Sequence, residues 1–264
     1  LVRRERQGVS WWTDEGLAKA GVLLAFTERL GGVSVGPCAS LNLAGHVGDD
    51  PRAVDENRER LLDALGLGPL RSRLTTAEQV HGDRVAVIGE DGARPGSGAF
   101  ADSTRPRYAP PVPRTDALLV CEPETPLLLC FADCVPVVLA VTEGDAPAGP
   151  AAGVVHAGWA GALAGLPGLA VRRLALLSGS DPSRIRAYVG AHIGPCHYQV
   201  GAEIMSQFVN TFGTVARAES GGLDLGAAVS ASLTDAGVDP CSITSLGTCT
   251  AEATDRFFSY RAEG

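Results

Sequence analysis

Between residues 117 and 157 the chain passes through four short apolar runs, 117–120, 127–131, 135–141 and 153–156. Turn-forming or polar residues separate most of them. Apolar runs this short, with Val among their residues, read as buried strands rather than as helices. Further strands are expected at 84–88, 186–190 and 243–246, and helices at 169–177, 203–212 and 225–236. The clearest helix is 50–65. There Asp50 is placed to cap the N-terminus, Pro51 takes the first helical position and Gly66 follows the end. Val54, Leu61, Leu62 and Leu65 share one face of it. Strands outnumber helices and do not alternate strictly with them, so an α+β fold with mixed sheets is expected. No charged or Ser/Gly-rich linker divides the chain, and residues 1–264 read as one domain.

One stretch imitates a membrane span. Residues 146–171 carry no charge, but they hold Pro147, Pro150, Pro167, six glycines and His156. A spanning helix does not tolerate that density of breakers, so a loop, a buried strand and a turn into a helix are expected, and no membrane partner. The chain is 45% hydrophobic and 20% charged, which excludes a disordered polymer. Its net charge of −8 argues against nucleic acid or an anionic bilayer as partner, though not against a small anion in a locally positive pocket. Seven cysteines, an odd number, and a charged start at 1–7 with no apolar leader point to reduced thiols and a cytoplasmic protein. Nothing resembles a heptad seam, so a monomer is expected. Residues 92–114, rich in Pro and Gly, read as a long loop.

Chemistry is sparse. Five histidines occur, at 46, 81, 156, 192 and 197. His81 lies in Gln79-Val80-His81-Gly82, just before an expected strand. Cys134 lies in Ala132-Asp133-Cys134-Val135-Pro136, between two apolar runs, and His156 ends another. Two His and one Cys suit a catalytic zinc with an open fourth position, and residues at strand ends suit a site on a rigid frame. The separations of 134 − 81 = 53 and 156 − 134 = 22 residues are not those of a local zinc motif. Hydrogen-bonded structural histidines and a small buried cysteine fit the spacing equally well. Cys130 reads as core. His192 and His197, flanking Gly194-Pro195-Cys196, are open to metal or phosphate but read better as a surface loop. No phosphate-cradling P-loop, dinucleotide-binding glycine motif or nucleophile elbow is present.

Taken together these segments resemble the laccase-domain family of bacterial polyphenol oxidases, also described as a purine nucleoside phosphorylase or peptidoglycan-editing-factor family. The resemblance rests on Ser40-Leu-Asn-Leu-Ala-Gly-His-Val-Gly-Asp49, Asn57-Arg58, Gln79-Val-His-Gly82, Thr115-Asp-Ala117 and Ala132-Asp-Cys-Val-Pro136. It continues through His156-Ala-Gly-Trp159, Gly194-Pro-Cys196, Tyr198-x-Val-Gly201 and Arg256-Phe-Phe-Ser-Tyr-Arg261, in family order from about residue 20 onward. It implies one α+β domain whose mixed sheets are layered between helices (α/β/β/α). It implies that His81, Cys134 and His156 are zinc ligands. The activity implied is phosphorolysis of adenosine or inosine, with methylthioadenosine cleavage and adenosine deamination as further activities. The small-molecule partners are then a purine nucleoside and phosphate. The alternatives within the resemblance are editing of peptidoglycan precursors at the same site and weak polyphenol oxidation with copper bound in vitro.

On that reading Cys134, His81, His156 and Asp133 are the catalytic group, Asp133 as an orienting or acid residue. Asn42, His46, Arg58 and Arg261 are expected to line the substrate pocket, with Arg58 or Arg261 on phosphate and Asn42 on the ribose or base edge. Arg58 also falls in the charged run 55–60, which reads as a solvated helix face. Two family arginines are missing, with Ala160 and Ala262 in their places, and positive charge that would hold an anion is lost with them. A true multicopper oxidase requires about ten imidazoles and a thiolate, which five histidines do not supply. A metal-free cysteine hydrolase built on Cys134 and a protein using zinc only structurally are the remaining rivals.

Overall fold

The computed structural model describes residues 1–89, 108–145 and 147–264. The chain opens with a hairpin, β1 (Val2–Arg6) and β2 (Val9–Thr13), then α1 (Glu15–Lys19) and β3 (Phe26–Thr27). After α2 (Pro51–Ala64) come β4 (Thr75–Thr76), β5 (Val85–Val87), β6 (Ala117–Val120) and β7 (Leu127–Leu128). The central elements are β8 (Val135–Val141), β9 (Ala151–Ala157), α3 (Trp159–Leu163) and α4 (Leu166–Ser178). β10 (Arg186–Val189), α5 (Ala202–Phe212), α6 (Leu225–Asp235), β11 (Ile243–Ser245) and α7 (Tyr260–Glu263) complete the order.

A six-stranded mixed sheet in the order β11-β10-β8-β9-β6-β5 forms the frame. β8, β9 and β6 pair antiparallel, while β5 and β11 join the two edges in parallel. One face of it, including Val135, Val137, Leu139, Ala117 and Leu119, packs on Leu166, Val171 and Leu174 of α4, Phe208 of α5 and Val229 and Leu233 of α6. The opposite face meets the smaller sheets. Leu118 and Val120 pack with Ile88, Val112 and Leu129, and Ala140 and Tyr188 pack with Leu17, Leu24 and Phe26. α2 closes the far side, laying Leu61 and Ala64 on Val9 and Trp11 of β2. The layers therefore run helix, sheet, sheet, helix, as the resemblance implies.

The central strands β6, β8, β9 and β10 form where apolar runs are buried on both faces. Three details depart from the sequence expectations. The 127–131 run pairs as a strand only over β7, because the Gln79 side-chain amide takes the place of a neighbour. Gln79 Nε2 donates to the Cys130 carbonyl at 2.7 Å, and the Cys130 N–H donates to Gln79 Oε1 at 2.9 Å. The 153–156 run extends to Ala151–Ala157, because it is the partner of the long β8 along its whole length. The β1–β2 hairpin lies in a segment for which no element is expected. All five β1 residues are exposed, so no apolar alternation marks it. Of the uncharged 146–171 stretch, the described residues 147–171 include β9, α3 and the start of α4, and no helix among the described residues is long and apolar enough to cross a membrane. Of the expected 92–114 loop, residues 92–107 lie outside the described residues.

Candidate metal centre

Register brings the chemistry together at one end of the main sheet. In the β8–β9 ladder Pro136 sits opposite His156 and Val135 opposite Ala157. Cys134, the residue before β8, therefore arrives beside the C-terminal end of β9. On the other side of β9, Ala117 pairs with Val155, which brings Asp116, the residue before β6, to His156. β5 pairs with β6 through Val85 and Ala117, so the turn that precedes β5 carries His81 to the same end. The side-chain ligand atoms of His81, Cys134 and His156 all lie within 4.8 Å of one another, a group that can hold a metal ion.

Asp116 organises this group. Its fully buried carboxylate accepts the backbone N–H of Val80, His81 and Gly82 at 3.2, 3.0 and 2.8 Å, and its Oδ1 lies 2.8 Å from His156 Nδ1. Burial pushes the Asp116 carboxyl up. The bonds from His156 and from the N–H groups of Gly82 and Val80 outweigh it and hold the group below its ordinary value of 3.8. A carboxylate on Nδ1 fixes the tautomer and leaves the His156 Nε2 lone pair for a ligand. The same carboxylate stabilises His81 in a left-handed backbone conformation, φ 59°, which few non-glycine residues adopt.

The electrostatics suit a metal better than a free nucleophile. Burial, with the Asp133 and Asp116 charges, pushes the Cys134 thiol up to about 12. A thiolate, as nucleophile or as ligand, needs a cation beside the sulfur, and a bound metal ion would supply it here. Burial, helped by the neighbouring His156 and His46, lowers the His81 pKa, which keeps the imidazole neutral and able to ligate. Gly158 leaves the room. A Cβ there would stand 2.8 Å from His81 Cδ2 and 3.2 Å from Cys134 Sγ. The Phe131 ring covers His156 at 5.5 Å between centroids, and the two histidine rings meet edge to face at 4.8 Å.

The other residues singled out in the sequence are placed differently. Asp133 sits beside Cys134 but directs its carboxylate away from the histidines. It accepts bonds from Thr250 Oγ1 at 2.6 Å, Ser259 Oγ at 2.7 Å and the Arg261 N–H at 2.7 Å. With those donors on it, Asp133 ties down the C-terminal segment, and the orienting carboxylate is Asp116. Asn42 is buried and holds its own loop, donating to Ala44 O and Asp49 Oδ2 and accepting from the Ala44 N–H. Arg58 leaves the solvated face expected of its charged run. It donates through two nitrogens to the Leu43 carbonyl and stacks on Tyr108. His46 is exposed on the same loop, near enough to bear on His81. Arg261 is exposed and lies over the Tyr198 ring at 5.2 Å. Tyr198, not singled out as a site residue in the sequence, is pushed up to about 12 by burial and by Cys134, with Arg261 opposing. Asp116 and Gly158 lie inside quoted motifs, where only strand register reveals what they touch.

A family model described as multi-copper polyphenol oxidoreductase laccase matches residues 23–264. A protein named purine nucleoside phosphorylase from Corynebacterium glutamicum is 40% identical over 243 residues, covering 90% of this chain and 88% of the relative. One of the same name from Streptomyces coelicolor is 40% identical over 248 residues, covering 92% and 91%. Among solved structures, YlmD from Geobacillus stearothermophilus superposes with a TM-score of 0.82 at 34% identity, covering 98% of this chain and 93% of that one. The hypothetical protein YfiH from Bacillus licheniformis gives 0.82 at 31% identity, covering 99% and 94%.

Proposed function

The chain belongs to the multi-copper polyphenol oxidoreductase laccase family, and from that premise we propose that it is a zinc-dependent purine nucleoside phosphorylase. Its substrates are adenosine and inosine with phosphate, methylthioadenosine is a further substrate, and adenosine deamination is a second activity of the same site. The relatives' names support the reaction class. The observation that carries the reading is the convergence of His81, Cys134 and His156 on one point, with Asp116 on His156 Nδ1. Two imidazoles and a thiol are a zinc-type donor set short of a closed shell, and the glycine at 158 keeps the space between them clear.

When bound, zinc supplies a Lewis acid with an open position for a substrate oxygen. The protein's own part is positioning and exclusion. Asp116 keeps His156 in the ligating tautomer and pins the 80–82 turn, so neither histidine must reorganise during turnover. His156 is buried, with the Phe131 ring packed against it. Glycosidic cleavage builds negative charge on the leaving purine and positive charge on the ribose. Arg58 is committed to the Leu43 carbonyl. Arg261 is exposed and makes only longer bonds, to the His197 and Gln199 carbonyls at 3.5 and 3.3 Å, so it is the basic side chain we assign to the anionic substrate, compensating for the absence of arginine at Ala160 and Ala262. His46, exposed beside His81, is assigned to the purine or ribose.

The test is release of free base from adenosine and inosine by zinc-loaded protein, with and without phosphate, beside His81→Ala. Phosphate-dependent release that disappears in the variant is the expected outcome. No release from fully zinc-loaded wild type overturns the reading and turns attention to peptidoglycan precursors.

A further inference from the structure

A second group of ligand-type side chains lies outside the centre described above. His197 stands at the end of the 194–197 turn, its N–H bonded to the Gly194 carbonyl at 3.0 Å. Cys249 and Glu252 are three residues apart on a single turn, closed by bonds from the Glu252 and Ala253 N–H groups to the Cys249 carbonyl. That turn is clamped to the 192 segment by a bridge between His192 and Cys249 and by the Thr250 N–H on the His192 carbonyl. His197 Nδ1 lies 3.7 Å from Cys249 Sγ and 3.5 Å from Glu252 Oε1. All three ligand atoms fall within 4.8 Å of one another.

The same nitrogen faces both partners, and this decides between two chemistries. A cysteine–histidine–carboxylate relay needs both ring nitrogens, one for the thiol and the other for the acid. Here a single lone pair, a sulfur and a carboxylate oxygen converge, which is what an ion requires. The spacing agrees. In tetrahedral zinc, with Zn–S ≈ 2.3 Å and Zn–N or Zn–O ≈ 2.0 Å, nitrogen and sulfur stand about 3.6 Å apart and nitrogen and oxygen about 3.3 Å. Observed separations of 3.7 and 3.5 Å are near those values, and 3.5 Å is long for a direct N–H···O bond. Gly194 completes the fit. Its N–H donates to Cys249 Sγ at 3.1 Å, and a Cβ at 194 would stand 3.2 Å from that sulfur. A cavity of about 440 Å³ opens beside the group, lined by His192, Cys196, Asp224, Cys249 and Glu252 among others.

We propose that His197, Cys249 and Glu252 form a second, open site for a thiophilic divalent cation of the zinc type, separate from the centre at His81, Cys134 and His156. The proposal does not depend on the phosphorylase reading, since it concerns occupancy and not turnover. Three protein donors and an adjoining cavity leave a coordination position for water or an anionic ligand. Two of its donors are exposed and the third half-buried, whereas the first centre has the buried His156 among its donors, so the ion exchanges more readily here.

The test is metal stoichiometry on chelator-stripped protein reloaded with zinc. Wild type is expected to retain two equivalents, and Cys249→Ser and His197→Ala one each, while Cys196→Ser retains two. Cobalt supplies an independent readout. Cys134→Ser should still show a thiolate-to-cobalt charge-transfer band, and the double variant with Cys249→Ser should lose it. An unchanged zinc count in Cys249→Ser, or a cobalt band that survives the double substitution, overturns the proposal. Loss of the second equivalent in Cys196→Ser but not in Cys249→Ser overturns it as well. If Cys134→Ser does not fold, the comparison of wild type with Cys249→Ser decides alone.

Discussion

Each of the two His/Cys groups has a glycine against its sulfur, yet they are built from different material. His156 and Cys134 sit on or beside adjacent strands of the main sheet, and the buried Asp116 holds His156 and the His81 turn at once. His197, Cys249 and Glu252 ride on two turns at the surface, with one backbone N–H on the sulfur and, among the described residues, no carboxylate on the imidazole except the proposed ligand itself. Ladder hydrogen bonds fix a strand end to a fraction of an ångström, whereas a turn moves with its loop. Both groups offer comparable donors. What separates them is the shell behind the donors, and such a shell is expected to change affinity by 10–100-fold.

The sharpest way to break the contrast is to remove a sulfur. Cys134→Ser is expected to lower phosphate-dependent base release by about a thousandfold, equivalent to ~4 kcal/mol of transition-state stabilisation. Activity within tenfold of wild type would remove the first group from the chemistry. The next largest effect belongs to Asp116→Asn. The amide keeps the shape but sets an NH₂ against donors that a carboxylate satisfied. Zinc affinity at the first centre, read by competition with a chromogenic chelator, is expected to fall 10–100-fold. The acid limb of the stability curve should change too. The folded-state pKa of Asp116 lies below its ordinary value of 3.8, so its contribution is present above that value and is lost as pH falls through the folded pKa. In Asp116→Asn that part of the acid transition should flatten. An unchanged profile would mean that other carboxylates, such as the buried Glu28 held down to about 2, carry the acid limb.

The contrast also explains what could be read in the sequence. His81, Cys134 and His156 stand out because each ends or precedes an apolar run, so a reader who places the strands places the residues. Asp116 precedes an apolar run as well, but an acid before a strand looks like any loop charge. Only the pairing of β6 with β9 puts it on His156. Asn42 and Arg58 show the converse. Their residue types suit a ligand pocket, while in the fold their polar atoms are taken by the carbonyls of Ala44 and Leu43, groups that no sequence pattern advertises. The central strands were legible because burial on both faces writes continuous apolar runs, while their layering was implied by the resemblance alone. The β1 hairpin was not, because Val-Arg-Arg-Glu-Arg is exposed throughout. His197 reads as a surface loop from its neighbours, and Cys249 and Glu252 carry no pattern that points to it 52 residues away.

The two glycines sharpen the comparison further. Gly158→Ala puts a Cβ 2.8 Å from the ring of His81, whose backbone N–H is held by Asp116, so the ring or the strand end must shift. A loss of about tenfold in zinc affinity at the first centre, with ~1–3 kcal/mol of destabilisation from overpacking, is expected. Gly194→Ala meets its sulfur at 3.2 Å on a surface turn that can give way, so a destabilisation under ~1 kcal/mol is expected in the same denaturation experiment. Equal losses would show that the turns of the second group are as stiff as the sheet end.

A last variant probes the link between the groups. Asp133 precedes the ligand Cys134, has a left-handed φ of 83°, and binds Thr250, which follows Cys249. Its carbonyl also receives the Ile193 N–H, on the segment leading to Gly194. One residue therefore ties the rigid centre to the loose one. Thr250→Val removes the 2.6 Å bond within a site only 4% exposed and leaves the Ser259 and Arg261 bonds in place. A cost of about 1–2 kcal/mol is expected, a fall of several degrees in Tm for a chain of this size. Because the sheet end does not rely on this bond, zinc affinity at the first centre should stay within about threefold of wild type, while retention at the second weakens by more. If both centres weaken together, Asp133 transmits strain into the sheet end, and the strand frame is less independent of the turns than its hydrogen bonds imply.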